Sequence, residues 1–212
     1  MSGRKKEPRK SEPGAVKQVK GDWWPDRDRT CHSSSYNLEG AVEATRLCKK
    51  TDLVIQAGGN VGVWPRFLRK SFKRVLTFEP SRENFDLMLK NLSGVDVEMT
   101  FAALGEKSGK CGIKLNPENC GDDQTIPGAE VPVIAIDDLH VDPDLIYLDI
   151  QGDELLVLKG AAETIKRCYP VVGLEIDGHS MKRHGDPRPF LLGLGYEKVG
   201  REHQDELFVR KV

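Results

Sequence analysis

The stretch LVIQAGGNVGVW, residues 53–64, decides the fold of this chain. It opens with an apolar run that predicts a β-strand, passes through a glycine-rich turn, and continues into a segment, residues 62–71, that we interpret as a helix. Glycine allows a backbone with positive φ and a close approach to a ligand. The first turn of the helix would also offer unpaired N–H groups to an anionic part of that ligand.

A second apolar run, residues 75–78, is followed directly by an acidic residue, Glu79. The succession of strand, glycine turn, helix and a strand that ends in an acid is typical of a nucleoside-binding α/β unit. The carboxylate of Glu79 is suited to accept hydrogen bonds from the two hydroxyls of a ribose. We therefore predict a nucleoside site at this turn.

The rest of the chain continues the alternation of strands and helices. We predict further strands at 96–102, 145–148, 171–174, 195–200 and 206–211, and further helices at 38–49, after Ser81 and after Gly152. Two short strands, at 110–115 and 131–134, would form a β-hairpin insertion. This pattern predicts an α/β fold with a doubly wound, mostly parallel Rossmann-like sheet and a C-terminal antiparallel hairpin.

Charge is distributed unevenly along the chain. The formal net charge is −1, but residues 1–20 hold seven Lys and Arg against two Glu, without apolar periodicity. We expect a disordered basic tail over 1–20, an N-terminal arm and helix over 21–50, and one catalytic domain over 51–212. A tail of this kind is either a solvated terminus or a tether to nucleic acid or a membrane surface.

Several classes of protein are excluded by what the sequence lacks. No apolar segment follows the basic residues as in a signal peptide, and no stretch approaches the ~20 apolar residues of a membrane span. The five cysteines are scattered, without a CxxC pair, which argues against a disulfide framework or a structural zinc site. We expect a cytoplasmic protein without a membrane span.

Two adjacent tryptophans, Trp23 and Trp24, lie in a polar setting and need somewhere to be buried. They either dock the arm on the domain or bring an aromatic ring over the ligand pocket. The sequence leaves both possibilities open.

The spacing of the glycines narrows the choice of nucleoside. A dinucleotide site needs G-x-G-x-x-G, and a phosphate-binding P-loop ends in Gly-Lys-Ser/Thr; the turn at 58–62 fits neither. A looser glycine turn followed by an acid suits a ligand that has a ribose and lacks a pyrophosphate. S-adenosylmethionine is such a ligand.

Several ordered blocks between residues 50 and 210 carry a family resemblance. They are QAGGNVG at 56–62, TFEPSRENF at 77–85, AALG at 102–105, IDDL at 136–139, YLDIQGDE at 147–154 and LKGA at 158–161. With these blocks the chain resembles the FkbM family of S-adenosylmethionine-dependent methyltransferases. The family usually has an aspartate where this chain has Gln56, and an amide binds an ammonium group less strongly than a carboxylate does.

The resemblance implies a set of cofactor-binding residues for S-adenosylmethionine. They are Gln56, Ala57, Gly58, Gly59, Asn60, Gly62, Glu79, Pro80, Ala102, Ala103 and Asp149.

Three residues near the ends of the later strands are our catalytic candidates. Asp149 would lie beside the transferred methyl group, Glu175 ends the next strand, and His179 could act as a base near neutral pH. Alternatives are that Asp149 caps a helix and that His179, like His184, is a surface histidine. We predict no metal, although Asp149, Glu175 and Asp177 together could hold a divalent cation.

The predicted function is O-methylation of a small-molecule or sugar acceptor by an S-adenosylmethionine-dependent methyltransferase. The alternative is a catalytically inactive nucleoside-binding or nucleic-acid-associated module that uses the basic tail.

Overall fold

The computed structural model describes residues 14–31, 36, 38–176, 180–202 and 205–211. Its strands are β1 Val16–Val19, β2 Asp22–Pro25, β3 Leu53–Ala57, β4 Arg74–Phe78, β5 Glu98–Thr100, β6 Ala103–Leu104, β7 Gly109–Lys114, β8 Gln124–Ile134, β9 Leu145–Leu148, β10 Val171–Glu175, β11 Tyr196–Glu202 and β12 Asp205–Arg210. Its α-helices are α1 Glu39–Leu47, α2 Val63–Leu68, α3 Arg82–Asn91, α4 Glu154–Lys159, α5 Ala162–Cys168, α6 Ser180–His184 and α7 Arg188–Gly193.

A seven-stranded sheet forms the centre of the domain, with the strand order β11-β12-β10-β9-β3-β4-β5. Strands β10, β9, β3, β4 and β5 are parallel, while β12 runs antiparallel to both β10 and β11. The chain proceeds from β3 toward β5 and then returns to place β9 on the other side of β3. This reversal makes the carboxyl ends of β3 and β9 a topological switch point, where ligands of such sheets bind. The prediction of a doubly wound sheet with a C-terminal antiparallel hairpin is confirmed.

The apolar runs form central strands because both faces of the sheet are covered. In β3, Ile55 packs into one core cluster with Leu148 of β9, and Val54 packs into a second cluster on the other face with Leu145. Side chains alternate between the two faces of a strand, so consecutive apolar residues serve opposite layers.

The predicted insertion is a three-stranded sheet. Strand β7 pairs antiparallel with β8, as expected, and the two-residue β6 adds a parallel strand. Strand β8 starts at Gln124, seven residues before the predicted start at residue 131. The register shifts between Cys111 and Gly112, and this irregularity allows the pairing to continue along the longer strand.

The N-terminal region differs from the expectation of a disordered tail through residue 20. Strands β1 and β2 form a hairpin whose turn, Lys20–Gly21, has positive φ at both residues, 51° and 92°. Two such residues are typical of tight hairpin turns that match the twist of the strands. The expected tail is therefore ordered from residue 14, and residues 1–13 lie outside the described residues.

The predicted helix after Ser81 is α3, and it starts without a side-chain cap. Ser81 stands at the N-cap position, but its side chain makes no capping hydrogen bond, and its hydroxyl instead donates to Asp123 at 2.9 Å. The Ser81 N–H group donates to Glu79 at 2.7 Å. The residue thus links α3 to the insertion and to the end of β4.

Candidate active site

A cavity of about 400 Å³ opens at the carboxyl ends of β3, β4 and β9. Of the predicted site residues, the structure brings the following to its lining: Ala57, Gly58, Gly59, Asn60, Glu79, Pro80, Ala102, Ala103, Asp149 and Glu175. Of the remaining predicted residues, Gln56 and Gly62 do not line the cavity, and His179 lies outside the described residues.

The glycine turn is held against the ends of the neighbouring strands. The N–H groups of Gly58 and Gly59 both donate to the carbonyl of Phe78, at 3.1 and 3.0 Å. Gly58 has φ of 83°, and a Cβ atom there would lie 1.9 Å from the carbonyl oxygen of Asp149. Only glycine meets both conditions, so this residue allows the turn and the end of β9 to approach each other.

Glu79 is buried at the end of β4, with 4% of its surface exposed. Its two carboxylate oxygens accept hydrogen bonds from the N–H groups of Asn60 and Ser81, each at 2.7 Å. Burial raises the pKa of Glu79 to about 7, although these two hydrogen bonds act in the opposite direction. The carboxyl group lines the cavity with its position fixed by the turn on one side and by α3 on the other.

Gln56 and Gly62 support the turn from outside the cavity. The amide of Gln56 donates to the carbonyl oxygens of Ala57 and Gly58, at 3.1 and 2.9 Å. Gly62, with φ of 99°, precedes α2, and a Cβ atom there would lie 2.9 Å from the Leu92 side chain. Both residues shape the turn from outside the cavity lining, and their assignment as cofactor-binding residues stays a prediction.

Asp149 and Glu175 come together at the cavity, as predicted for residues at the ends of adjacent strands. Glu175 is hydrogen-bonded to Asp149, and the negative charge of Asp149, followed by burial, raises the pKa of Glu175 well above its ordinary value. The Gln151 amide also donates to Glu175, at 3.0 Å. Two carboxyl groups that share a site hold one proton between them at neutral pH, and we assign that proton to Glu175.

Glu154 organises the loop that carries Asp149. It is the first residue of α4, and its carboxylate accepts from the N–H groups of Gly152 and Ile150, at 3.2 and 3.4 Å. Burial raises its pKa to about 7. Glu154 is absent from the cavity lining, so its role is to shape the loop.

The predicted base His179 and the metal candidate Asp177 lie outside the described residues. His184 is described, and its Nε2 atom lies 3.1 Å from Oδ1 of Asp153, a cavity residue that also pairs with Arg183 at 3.3 Å. Within the described ranges, no group of three or more His, Cys, Asp or Glu is arranged to hold a metal ion.

The N-terminal hairpin contributes a tryptophan to the cavity lining. Trp24 is fully buried and lines the cavity. Trp23 packs outside, where its backbone N–H group donates to the side-chain oxygen of Asn91 at 2.8 Å and its ring centroid lies 3.3 Å from the Lys90 ammonium nitrogen. Trp23 thus docks the arm on the domain, and Trp24 forms part of the cavity wall. The adjacent pair Trp23-Trp24 was the sequence signal for these two roles.

The loop at 119–123 lines the cavity from the insertion, and two residues of the arm hold it. Arg27 pairs with Asp123 and Glu83, at 2.8 Å each. The fully buried Asp28 accepts from the N–H groups of Cys31 and Cys120, at 2.7 and 2.8 Å. Burial alone would raise the pKa of Asp28, but hydrogen bonds, first those of Cys120, lower it below its ordinary value. The loop belongs to the insertion that the sequence predicts, but no motif there identified its residues as site residues.

The sheet order and the switch point define a Rossmann-like α/β domain. Residues 56–198 match the family model described as the methyltransferase FkbM domain. Because the match covers more than half of the chain, this protein belongs to the FkbM family of S-adenosylmethionine-dependent methyltransferases. The resemblance inferred from the sequence blocks is confirmed.

Solved structures with similar folds include methyltransferases. The FkbM methyltransferase from Methylobacillus flagellatus KT aligns with a TM-score of 0.55 and 21% identity over 75% of this chain, which spans 43% of that protein. A ribosomal protein L11 methylase from Lactobacillus delbrueckii subsp. bulgaricus aligns with a TM-score of 0.49 and 14% identity, over 82% of this chain and 77% of that one. No curated protein sequence matches this chain. At these identities the structural likeness establishes the fold alone.

In the described part of the chain, no helix is both long enough and apolar enough to cross a bilayer.

Proposed function

We propose that this chain binds S-adenosylmethionine in the 400 Å³ cavity and transfers its methyl group to an oxygen of a small-molecule or sugar acceptor. The observation that carries the proposal is the convergence of three features on one cavity. These are the glycine turn, the buried carboxyl of Glu79 and the carboxyl pair Asp149–Glu175.

The chemistry of the lining fits this cofactor. A volume of about 400 Å³ falls in the usual range of cofactor pockets, which is about 300–1,000 Å³. The carboxyl of Glu79, once ionised, would accept hydrogen bonds from the ribose hydroxyls. Asp149 lies beside the glycine turn, so its negative charge suits a cofactor that carries a cationic sulfur and an ammonium group.

When bound, S-adenosylmethionine supplies a methyl group on a positively charged sulfur that is open to in-line attack. Most of the rate then comes from holding the acceptor oxygen opposite the methyl group with water excluded. Asp149 would accept the proton of the acceptor hydroxyl. Glu175, which is protonated at neutral pH, would keep the negative charge on Asp149 and orient it through their hydrogen bond.

Calorimetry with the purified chain tests the cofactor part of this proposal, and a panel of hydroxylated small molecules and sugars tests the acceptor part. We expect binding of S-adenosylmethionine and S-adenosylhomocysteine, followed by release of S-adenosylhomocysteine with at least one acceptor. If the chain binds neither S-adenosylmethionine nor S-adenosylhomocysteine, the proposal is overturned. If the chain binds the cofactor but methylates a nitrogen or an RNA and no hydroxyl of the panel, the assignment of a small-molecule oxygen as the methyl acceptor is overturned.

The Glu79→Ala variant should bind S-adenosylhomocysteine about 10–100-fold more weakly, since hydrogen bonds to a charged group contribute about 1.5–3 kcal/mol. Calorimetry measures this change directly. The matched control is Glu98→Ala, which removes an exposed glutamate that pairs with Arg74; neither residue lines the cavity. Equal affinity of Glu79→Ala and the wild type would show that Glu79 does not bind the ribose.

Cofactor affinity should also depend on pH. The pKa of Glu79 in the free protein is raised to about 7, so the carboxyl is mostly protonated at pH 6 and mostly ionised at pH 8. If the ionised form binds, the dissociation constant for S-adenosylhomocysteine falls about tenfold from pH 6 to pH 8, with uptake of the ligand releasing a proton. Calorimetry in buffers of different ionisation enthalpy measures both quantities. A pH dependence that persists unchanged in Glu79→Ala would assign the titration to another group.

A further inference from the structure

Gln56 is a buried polar residue that the proposed chemistry does not use. It is the second-last residue of β3, has 1% of its surface exposed and does not line the cavity. All the hydrogen-bonding capacity of its amide is directed at the protein. The two hydrogens on Nε2 go to the carbonyl oxygens of Ala57 and Gly58, and Oε1 accepts from the hydroxyl of Thr77.

The contacts of Gln56, together with those of Phe78 in β4, hold both ends of the first two peptide units of the glycine turn. In the first unit, the carbonyl of Ala57 accepts from Gln56, and the N–H of Gly58 donates to Phe78. In the second unit, the carbonyl of Gly58 accepts from Gln56, and the N–H of Gly59 also donates to Phe78. Each unit is therefore held at its oxygen end by Gln56 and at its nitrogen end by β4.

Only a side-chain amide satisfies this position. It must donate twice on one side and accept once on the other, and a carboxylate has no hydrogen to donate. Thr77 is fully buried and is the direct cross-strand partner of Gln56, so the acceptor side of the amide is also fixed. An ionised carboxylate in the same place would put an oxygen against two carbonyl oxygens in a buried setting, which is strongly unfavourable.

We propose that Gln56 is a positioning residue that sets the orientation of the first two peptide units of the glycine turn for cofactor binding. The inference rests on the proposed function of the cavity. Charge attraction alone would make an acid at position 56 strengthen the binding of a cationic cofactor. The positioning role predicts the opposite, because the acid disrupts the turn.

The test compares Gln56→Glu and Gln56→Met with the wild type in their affinity for S-adenosylhomocysteine between pH 6 and pH 8. At pH 8 we expect both variants to bind about tenfold more weakly or worse, as two buried hydrogen bonds are lost. At pH 6 the Gln56→Glu variant should regain part of its affinity relative to the wild type, because a protonated acid donates one of the two bonds. The Gln56→Met variant has no titrating group, so its ratio to the wild type should stay constant with pH.

Two controls separate this positioning effect from general loss of stability. Thr77→Val removes the donor to Oε1 and keeps the shape, so it should weaken binding by less than Gln56→Met. Ile55→Val removes one methylene from the opposite face of β3 and should lower the melting temperature without changing the affinity.

The outcomes distinguish the inference from the function on which it rests. If the wild type does not bind the cofactor product, the proposed function fails. If the wild type binds and both Gln56 variants bind equally well, or if Gln56→Glu binds more tightly, the positioning role of Gln56 fails and the function stands. If the ratio of the Gln56→Glu affinity to the wild-type affinity did not change with pH, the role of the Gln56 amide as a hydrogen-bond donor would also be overturned.

Discussion

Replacing Asp149 with asparagine is expected to slow methyl transfer by about a hundred- to ten-thousandfold, which is the usual contribution of a positioned acid–base group. Asparagine keeps the size and one oxygen acceptor of the side chain but cannot take up the proton of an acceptor hydroxyl. Cofactor affinity should therefore fall much less than the rate, by up to about tenfold for the loss of a charge-assisted hydrogen bond. The rate is measured as release of S-adenosylhomocysteine with the acceptor that the wild type methylates fastest.

The same assay with Glu175→Gln separates the two members of the carboxyl pair. The pKa of Glu175 is raised by the charge of Asp149 and by burial, so Glu175 is already neutral at pH 7 and a neutral amide of the same size replaces it closely. We expect a change of less than about tenfold in rate, since an amide retains hydrogen bonds to Asp149 and Gln151. The exposed Asp142, which pairs with Arg167, provides a control in Asp142→Asn. An unchanged rate in Asp149→Asn, or an equal loss in both cavity variants, would contradict the assignment of Asp149 as the base.

The parts of the fold that could be predicted are those specified by local sequence. Strand β9 is a run of four buried residues, Leu145–Leu148, and such a run between helical segments leaves few alternatives to a central parallel strand. Strand β1, with the sequence VKQV, has no such run and looks like part of a charged tail. It forms because it pairs with β2, and β2 is held in place by burial of Trp24 and by a bidentate ion pair between Asp22 and Arg66, at 2.6 and 2.7 Å.

The same division applies to the candidate site. Residues at the carboxyl ends of strands, such as Glu79 and Asp149, could be placed at one rim because the topology of a parallel sheet requires it. Trp24 and the loop at 119–123 reach the cavity through contacts between distant segments, among them Asp28 with Cys120. No periodicity or motif reports such contacts.

Gln56 illustrates a third limit, which concerns the direction of a side chain. The sequence places it just before the glycine turn, and its assignment as a cofactor-binding residue stays a prediction. Its cross-strand partner Thr77 and the two carbonyl oxygens next to it turn the amide away from the cavity. A residue's place along a strand follows from the sequence, whereas its hydrogen-bond partners depend on the neighbouring strand.

The second large effect is expected for Gly58→Ala, which should both destabilise the domain and reduce cofactor binding. The left-handed backbone of Gly58 costs an alanine about 1–2 kcal/mol. In addition, the new Cβ atom would lie 1.9 Å from the carbonyl oxygen of Asp149, a backbone atom that cannot rotate away. Forcing extra atoms into a packed site costs about a further 1–3 kcal/mol. Urea unfolding measures the total.

Gly94 provides a control that separates the two costs of Gly58→Ala. It has nearly the same backbone angle, φ of 81°, but nothing lies within 4 Å of a Cβ atom built there. Gly94→Ala should therefore lose only the conformational part, about 1–2 kcal/mol, and keep its cofactor affinity. The excess loss in Gly58→Ala then measures the overlap with Asp149. The Asp149 N–H group donates to the Ala57 carbonyl at 3.2 Å, so the glycine turn and the end of β9 are hydrogen-bonded to each other. Relief of the overlap must therefore move the glycine turn away from Asp149, the proposed catalytic residue. Equal losses in the two variants would mean that the turn and the end of β9 are not in the close contact on which the proposed site depends.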